Sequence, residues 1–511
     1  MKQDDFKRRY IIKLSSSIGI ATLNAIIQLI LPRAFTVEQY GYYTYNLNVF
    51  SSVVVLANFS SSNALISKFA KRNEEIGLLV FYLKIYVIET AILIIGLFVL
   101  FPLSFVEEVF AGQTFFIVLL GLEVALVMKF QNDIVGIYDA MALSRMPAIC
   151  QIIMKVILCA YVLFFYLLGK LNLEIFYVGQ LLLIGLMSAL LLALILRFQK
   201  KKYPIAINKG FRKYFIEYEQ FCRPLVIASV VAQVINIVMN WALMKWSGTT
   251  EQALFGVAWQ LNTLVSFVFS PYAELSKREY AIVSSDEEQI RKLYDKSLRL
   301  MMWITSYFSL FIGFCANWLL PIVYGDEYNN ATGTTLLIML YTVYQAAGQM
   351  NGSLMIATER TKLNAVLAMM GQILTLILIF IFQIPNAIWP NGLGAIGIAI
   401  VYALGNFIST CIGMICISKA IKLDISKPFG VYIVPVVFCS LFAFVLNRGL
   451  DTVWIGESIV DHCLKILLAG IIYSLAIAII AINKPEWIGI SSASMNGMMD
   501  RLKATMRWRR R

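Results

Sequence analysis

Residues 78–101 read LLVFYLKIYVIETAILIIGLFVLF. An α-helix rises about 1.5 Å per residue, so this stretch crosses the ~30 Å hydrocarbon core of a bilayer. Inside lipid every backbone polar group must be satisfied within the segment, which leaves helix as its structure. Working outward, thirteen further stretches of the same kind fill the chain: 11–32, 40–66, 114–138, 147–169, 174–197, 224–246, 252–275, 297–320, 331–356, 362–385, 392–418, 428–448 and 460–483. The sequence is 59% hydrophobic and 14% charged, against roughly 25% charged in soluble domains. Little chain is left for a soluble catalytic domain. The expected fold is an all-α polytopic membrane protein of about 14 transmembrane helices.

The net charge of +13 would suit nucleic acid, but its distribution points elsewhere. With the N-terminus in the cytoplasm, inside segments collect about 35 Lys and Arg, outside segments about 4 and the spans about 4. The densest inside segments are 1–13, 198–223, 276–299 and 484–511. The excess charge is therefore a topology signal with affinity for anionic lipid heads. It places both termini in the cytoplasm, and no nucleic-acid partner is expected. The first stretch is too long for a signal-peptide core and reads as a retained helix.

The eight cysteines, Cys150, Cys159, Cys222, Cys315, Cys411, Cys416, Cys439 and Cys463, include no CxxC pair, and His462 is the only histidine. Neither a metal centre nor a cofactor is expected from that inventory. No GxxxxGK[ST] phosphate loop is present.

The chain repeats itself at an offset of about 210–215 residues. Thr36-Val37-Glu38-Gln39 with Asn46-Leu47-Asn48 matches Thr249-Thr250-Glu251-Gln252 with Gln260-Leu261-Asn262. Ala64-Leu65-Ile66-Ser67-Lys68 matches Ala273-Glu274-Leu275-Ser276-Lys277, and Ala142-Leu143-Ser144-Arg145 matches Ala357-Thr358-Glu359-Arg360. The offset equals six spans, an even number, so both copies share one orientation, the parallel-repeat plan of two-bundle transporters. The expected organisation is a six-helix bundle over 1–200, a basic amphipathic linker over 201–223, and a second bundle over 224–422. An appended helix pair over 423–484 and a basic amphipathic tail over 485–511 complete it.

Leu320-Pro321-Ile322-Val323-Tyr324-Gly325-Asp326-Glu327-Tyr328, with Ala331 and Leu336, resembles the loop after the ninth helix of polysaccharide (O-antigen, lipid-linked oligosaccharide) flippases. These belong to the multidrug/oligosaccharidyl-lipid/polysaccharide exporter superfamily. Arg33 with Tyr40-Gly41-Tyr42-Tyr43 looks like the loop after their first helix. Asn351, Leu354, Ala357 and Arg360-Thr361-Lys362 look like the turn after their tenth. The likeness covers about residues 10–425. It implies two six-helix bundles around a V-shaped cavity that opens alternately to each side. The implied substrate is an oligosaccharide on a polyprenyl diphosphate, and the implied place is the bacterial inner membrane. Implied partners are membrane lipids, a polysaccharide polymerase and chain-length machinery. In members with fourteen helices the extra pair contributes a groove for the lipid tail.

Ionisable residues inside spans are costly and mark functional sites by default. The first bundle carries Lys84, Glu89, Glu123, Lys129, Asp133 and Lys155. Lys129 and Asp133 are four apart and pair on one helix face. Lys84, Asp133 and Lys155 share a depth of about 8–12 Å inside the cytoplasmic boundary, which suggests one interior site. Lys84, Lys129 and Lys155 are expected to attract the diphosphate. Glu89, Glu123 and Asp133 would poise them or bind a coupling cation. In the second bundle Gln233, Asn236 and Asn240 fall on one helix face, suited to sugar hydroxyls or to helix–helix glue. Lys465 has Asp461 one turn before it, and a local pair is expected. Phe211, Phe215 and Tyr218 beside Arg212 and Lys213 read as an interfacial helix, as does the stripe Met495, Met498, Met499, Leu502 and Met506.

An enzyme is disfavoured, because outer segments are short and lack a separate acidic catalytic set. The expected activity is alternating-access flipping of lipid-linked oligosaccharide for surface polysaccharide. The alternatives are a cation-coupled multidrug exporter of the same superfamily and a flippase for a lipid-linked cell-wall precursor.

Overall fold

The computed structural model describes residues 3–72, 74–102, 109–110, 112–141, 143, 145–202, 210–284, 286–358, 360–386, 388–389, 392–422 and 426–489. The tail stripe Met495–Met506 lies outside them, as do residues 203–209 of the linker and Ala142, Ser144 and Glu359 of the repeat.

Helices account for the regular structure of the described residues. In chain order they are α1 (Gln3–Ala34), α2 (Val37–Ala57), α3 (Ser61–Lys71), α4 (Ile76–Leu100), α5 (Phe115–Ala140), α6 (Arg145–Leu167), α7 (Leu173–Lys202) and α8 (Phe211–Ile282). There follow α9 (Glu287–Phe314), α10 (Ala316–Val323), α11 (Thr332–Ala357), α12 (Thr361–Phe382), α13 (Gly394–Ala420), α14 (Ser426–Val453) and α15 (Ile459–Asn483). Among the described residues nine helices are long and apolar enough to cross a membrane, or ten if α2 and α3 count as one broken span. The other expected stretches lie on α1, α8 and α11. The first half of α1 is charged, and α8 and α11 bury polar side chains such as Asn240, Asn262, Thr342 and Asn351 against other helices. The chain is a multi-pass, all-α membrane protein.

Local chemistry sets the helix ends. Thr36 caps α2 by accepting from the Gln39 amide at 3.2 Å, and Asp286 caps α9 by accepting from Glu288 and Gln289. The seventh and eighth stretches run together in α8 and part only at Gly248, whose φ of 86° suits glycine. The ninth stretch, 297–320, is divided: α9 ends at Phe314, and the short α10 follows after Cys315.

The 40–66 stretch departs from expectation. It is not one helix: α2 and α3 meet at 62°, with Phe59 (φ 46°) and Ser60 (φ 62°) in the left-handed region. Such a conformation is uncommon for residues other than glycine and persists where its surroundings hold it.

The described chain forms two compact units. The first comprises residues 1–256 and 383–394, the second 257–382 and 395–511. In the first, α1 packs on α6, α5 lies on α7 and α2, and α3 lies on α5. A core at one end joins Leu78, Tyr82, Ile134, Leu191, Tyr214 and Tyr218; another joins Tyr45, Phe50, Val118, Leu122 and Met244. In the second, α9 packs against both α11 and α14, and α10 against α15. Over half (56%) of the apolar window of α9 is buried, against 6% for α4, so α9 is an interior helix and α4 presents a lipid-type face.

Candidate functional site

The break between α2 and α3 builds a polar site in the first unit. A break frees backbone groups that lipid cannot satisfy, so such breaks are tolerated where protein or a cavity supplies partners. Here Asn58 supplies them. Its Oδ1 accepts from the Ser62 amide at 3.0 Å and from Ser62 Oγ at 2.7 Å. Its Nδ2 donates to Glu89 Oε2 of α4 at 3.1 Å.

Lys129 of α5 closes the other side. Its ammonium donates to Asp133 Oδ2 at 2.6 Å, to Ser62 Oγ at 3.0 Å and to Tyr82 Oη at 3.2 Å. These three acceptors engage all three of its protons. Tyr82 donates in turn to Asp133. The ammonium also lies 5.8 Å from the ring centroids of both Tyr82 and Tyr86, within cation–π range. Tyr82 and Asp133 are buried. The result is one hydrogen-bonded chain, Glu89–Asn58–Ser62–Lys129–Asp133, with Tyr82 bridging its last members.

The structure thus brings together Lys129, Asp133 and Glu89, and it leaves the other candidates apart. Lys84 is exposed on α4. Tyr82, two residues earlier on the same helix, points into the site, and residues two apart do not share a face. Lys155 on α6 is half-buried, with no hydrogen bond or ion pair among the described residues. Glu123 is half-buried on α5 and likewise unpaired among them. Asn58, Ser62 and Tyr82 escaped the sequence reading. The polar run Asn58–Asn63 inside an apolar stretch is the signal that points to them.

The amides of α8 engage α2, also within the first unit. Asn236 Nδ2 donates to Ser52 Oγ at 2.8 Å. Asn240 Oδ1 accepts from Asn48 at 3.1 Å and from Gln252 at 3.2 Å. Thr44 Oγ1 donates to the Gln252 carbonyl at 3.3 Å. The close approach needs glycine: a Cβ at Gly41 would strike the Thr249 carbonyl, and one at Gly256 would strike Thr44. Gln233 is half-buried on the same helix without a hydrogen bond among the described residues.

Lys465 does not form its expected pair. Asp461 is held by Ser458 in a capping box and by Trp454. Lys465, 3% exposed, instead donates to Asp451 Oδ1 at 3.0 Å. Asp451 also accepts from Trp318 at 2.8 Å and Asn317 at 3.2 Å. This partly buried cluster fastens α14 and α15 to α10. In the segment expected to be interfacial, Tyr214, Tyr218 and Cys222 face inward, while Phe211 and Phe215 are exposed beside Arg212 and Lys213.

No protein-family model and no curated protein sequence matches the chain. Solved structures do. The lipid II flippase MurJ in an inward closed conformation matches with a TM-score of 0.67 at 13% identity, over 91% of this chain and 98% of that one. An inward-facing multidrug resistance MATE family transporter of the MOP superfamily matches with a TM-score of 0.63 at 16% identity, over 81% and 98%. A mutant of the Vibrio cholerae MATE transporter VcmN matches with a TM-score of 0.53 at 12% identity, over 83% and 98%. At these identities the likeness is one of fold, and this chain has the fold that the MurJ flippase and the MATE transporters share.

Proposed function

We propose that this protein is a flippase for polyprenyl-diphosphate-linked oligosaccharide in the bacterial inner membrane, supplying surface polysaccharide synthesis. The observation that carries this reading is the Lys129 network: a partly buried ammonium beside a helix break, inside the fold of a lipid II flippase. Lys129 is the group proposed to meet the diphosphate. In the present arrangement Asp133 neutralises it, so substrate binding exchanges one anionic partner for another. Glu89 and Asp133 poise the site, and Lys155, apart from this network, is proposed as a second attraction for the diphosphate. Lys84 lies outside this network, and its proposed role is confined to attracting anionic lipid. Gln233, Asn236 and Asn240 are proposed to meet the glycan when α8 parts from α2. No bond is made or broken. A ligand drives the change only through different affinity for the two states.

The MATE likeness is nearly as strong, and a cation-coupled exporter would use Glu89 and Asp133 as its acidic site. One experiment separates the readings. In a strain lacking the gene, the flippase reading expects loss of surface polymer with intact lipid-linked repeat units held on the inner leaflet. Unchanged polymer and intermediates, in a strain without a second flippase, would overturn it.

A further inference from the structure

α3 is short, 11 residues over Ser61–Lys71, and no continuous helix fixes its direction. It leaves α2 at 62° through the Phe59–Ser60 break, and Arg72, with φ −136° and ψ 59°, ends it. A helix this short is marginal by itself, so its pose is set by what it packs on. Ser62, Leu65 and Phe69 recur at helical spacing and share one face. Leu65 and Phe69 are buried in one core with Tyr214, Tyr218 and Cys222 of α8, while Ser62 accepts from the Lys129 ammonium. The face that docks on the start of α8 is therefore the face that presents the Ser62 hydroxyl.

An ion clasp holds the far end of α3. Arg72 donates to Glu217 Oε2 of α8 at 2.6 Å, and Lys68 Nζ lies 3.7 Å from the same oxygen. Arg72 also reaches Glu75 at 3.3 Å, so its guanidinium fork spans two carboxylates, one before α4 and one on α8. Lys68 lies 5.9 Å from the ring centroid of Phe221, one turn beyond Glu217. Two attachments to one carboxylate oxygen resist rotation of α3 about its axis. Rotation matters at the other end: Ser62 Oγ meets Asn58 at 2.7 Å and Lys129 at 3.0 Å, and such bonds weaken steeply when misaligned. The side chains of Lys68, Arg72 and Glu217 are between 19% and 30% exposed. Pairs open to solvent add little to overall stability, so the clasp acts on the direction of α3 more than on folding.

We infer that Glu217 is a positioning residue. By clasping Lys68 and Arg72 it sets α3 so that Ser62 meets Asn58 and Lys129. It acts through Ser62 and not on substrate. The importance of the clasp for transport rests on the reading of Lys129 given above; the mechanical link between Glu217 and Ser62 does not.

The test is hydrogen–deuterium exchange of the purified full-length chain in detergent. In Glu217→Gln, peptides covering residues 58–66 should exchange at least about threefold faster than in wild type, because the Ser62 amide loses its hold on Asn58. Peptides covering 118–126, toward the other end of α5, should be unchanged. Glu217→Arg should loosen 58–66 further, and Glu217→Arg with Arg72→Glu, which reverses the pair, should bring it back near the wild-type rate. Arg72→Gln approaches the clasp from α3 and gives a second reading if Glu217→Gln folds badly. Faster exchange confined to residues 67–75 and 211–223, or an equal rise throughout the chain, would overturn the inference. Flipping by Lys129→Ala separates it from the flippase reading. Normal flipping there, with faster exchange at 58–66 in Glu217→Gln, overturns the role of Lys129 and leaves the link from Glu217 to Ser62 standing. Lost flipping there, with unchanged exchange at 58–66, does the reverse.

Discussion

Lys129 and Asp133 stand one helical turn apart on α5, with Nζ and Oδ2 separated by 2.6 Å. The pair is enclosed by Tyr82 and Ser62 and reaches Glu89 through Asn58. Removing one partner of a buried pair leaves an uncompensated charge, at about 3–5 kcal/mol. Lys129→Ala should therefore lower thermal stability in detergent and abolish transport. Lys129→Ala with Asp133→Ala should regain much of the stability without regaining transport. Restored transport in the double variant would remove Lys129 from the mechanism.

Lys84 provides the contrast. It is exposed, with no hydrogen bond or ion pair among the described residues. Lys84→Ala should leave surface polymer near wild type when Lys129→Ala loses it, as measured by complementation of the deletion strain. Equal loss in both would mean that positive charge at this depth matters more than the hydrogen-bonded site.

The appended pair depends on Asp451. Asp451→Ala strands the buried ammonium of Lys465, and about 3–5 kcal/mol of destabilisation is expected. Asp461→Ala removes an exposed cap and its hydrogen bond from Trp454, and should shift the melting temperature much less. The reverse order would contradict the pairing described above.

Gly41 tests the packing of α2 on α8. Gly41→Val drives a side chain into the Thr249 carbonyl, an overpacking that costs about 1–3 kcal/mol. Stability measured by thermal scanning should fall. Asn240→Ala, which removes interhelical hydrogen bonds, should cost about 0.6–1.7 kcal/mol.

Asp286 supplies a pH-dependent cap. The backbone N–H of Gln289, and then that of Glu288, hold its carboxyl below the usual range. A lowered folded-state pKa stabilises above the unfolded value of about 3.9 and is lost as pH falls through the folded one. Hydrogen exchange at the start of α9 should be faster in Asp286→Ala at pH 7. The two proteins should converge once the pH has fallen through the folded-state value.

Rotation about the helix axis was not legible in the sequence. Helix rise places Lys84, Asp133 and Lys155 at one level, yet which way each side chain turns depends on neighbours far away in the chain. Tyr82 points inward and Lys84 outward for that reason alone. The break at Phe59–Ser60 lacks the glycine or proline that announces most breaks. Its signal is the polar run Asn58–Asn63, which a hydropathy window averages away. Lys465 shows the same limit in another form. Asp461 is the nearer acid in sequence, but Ser458 and Trp454 claim it, and the partner comes from α14. The helical spans were readable because length and apolarity are properties of a segment by itself.

The central claim is that this chain moves a lipid-linked oligosaccharide by means of Lys129. The most direct measurement reconstitutes the purified protein in liposomes with a polyprenyl-diphosphate oligosaccharide and follows its arrival in the opposite leaflet with an impermeant lectin. The account predicts arrival with the wild-type chain and none above protein-free liposomes with Lys129→Ala. Equal rates in wild type, variant and protein-free liposomes would contradict it.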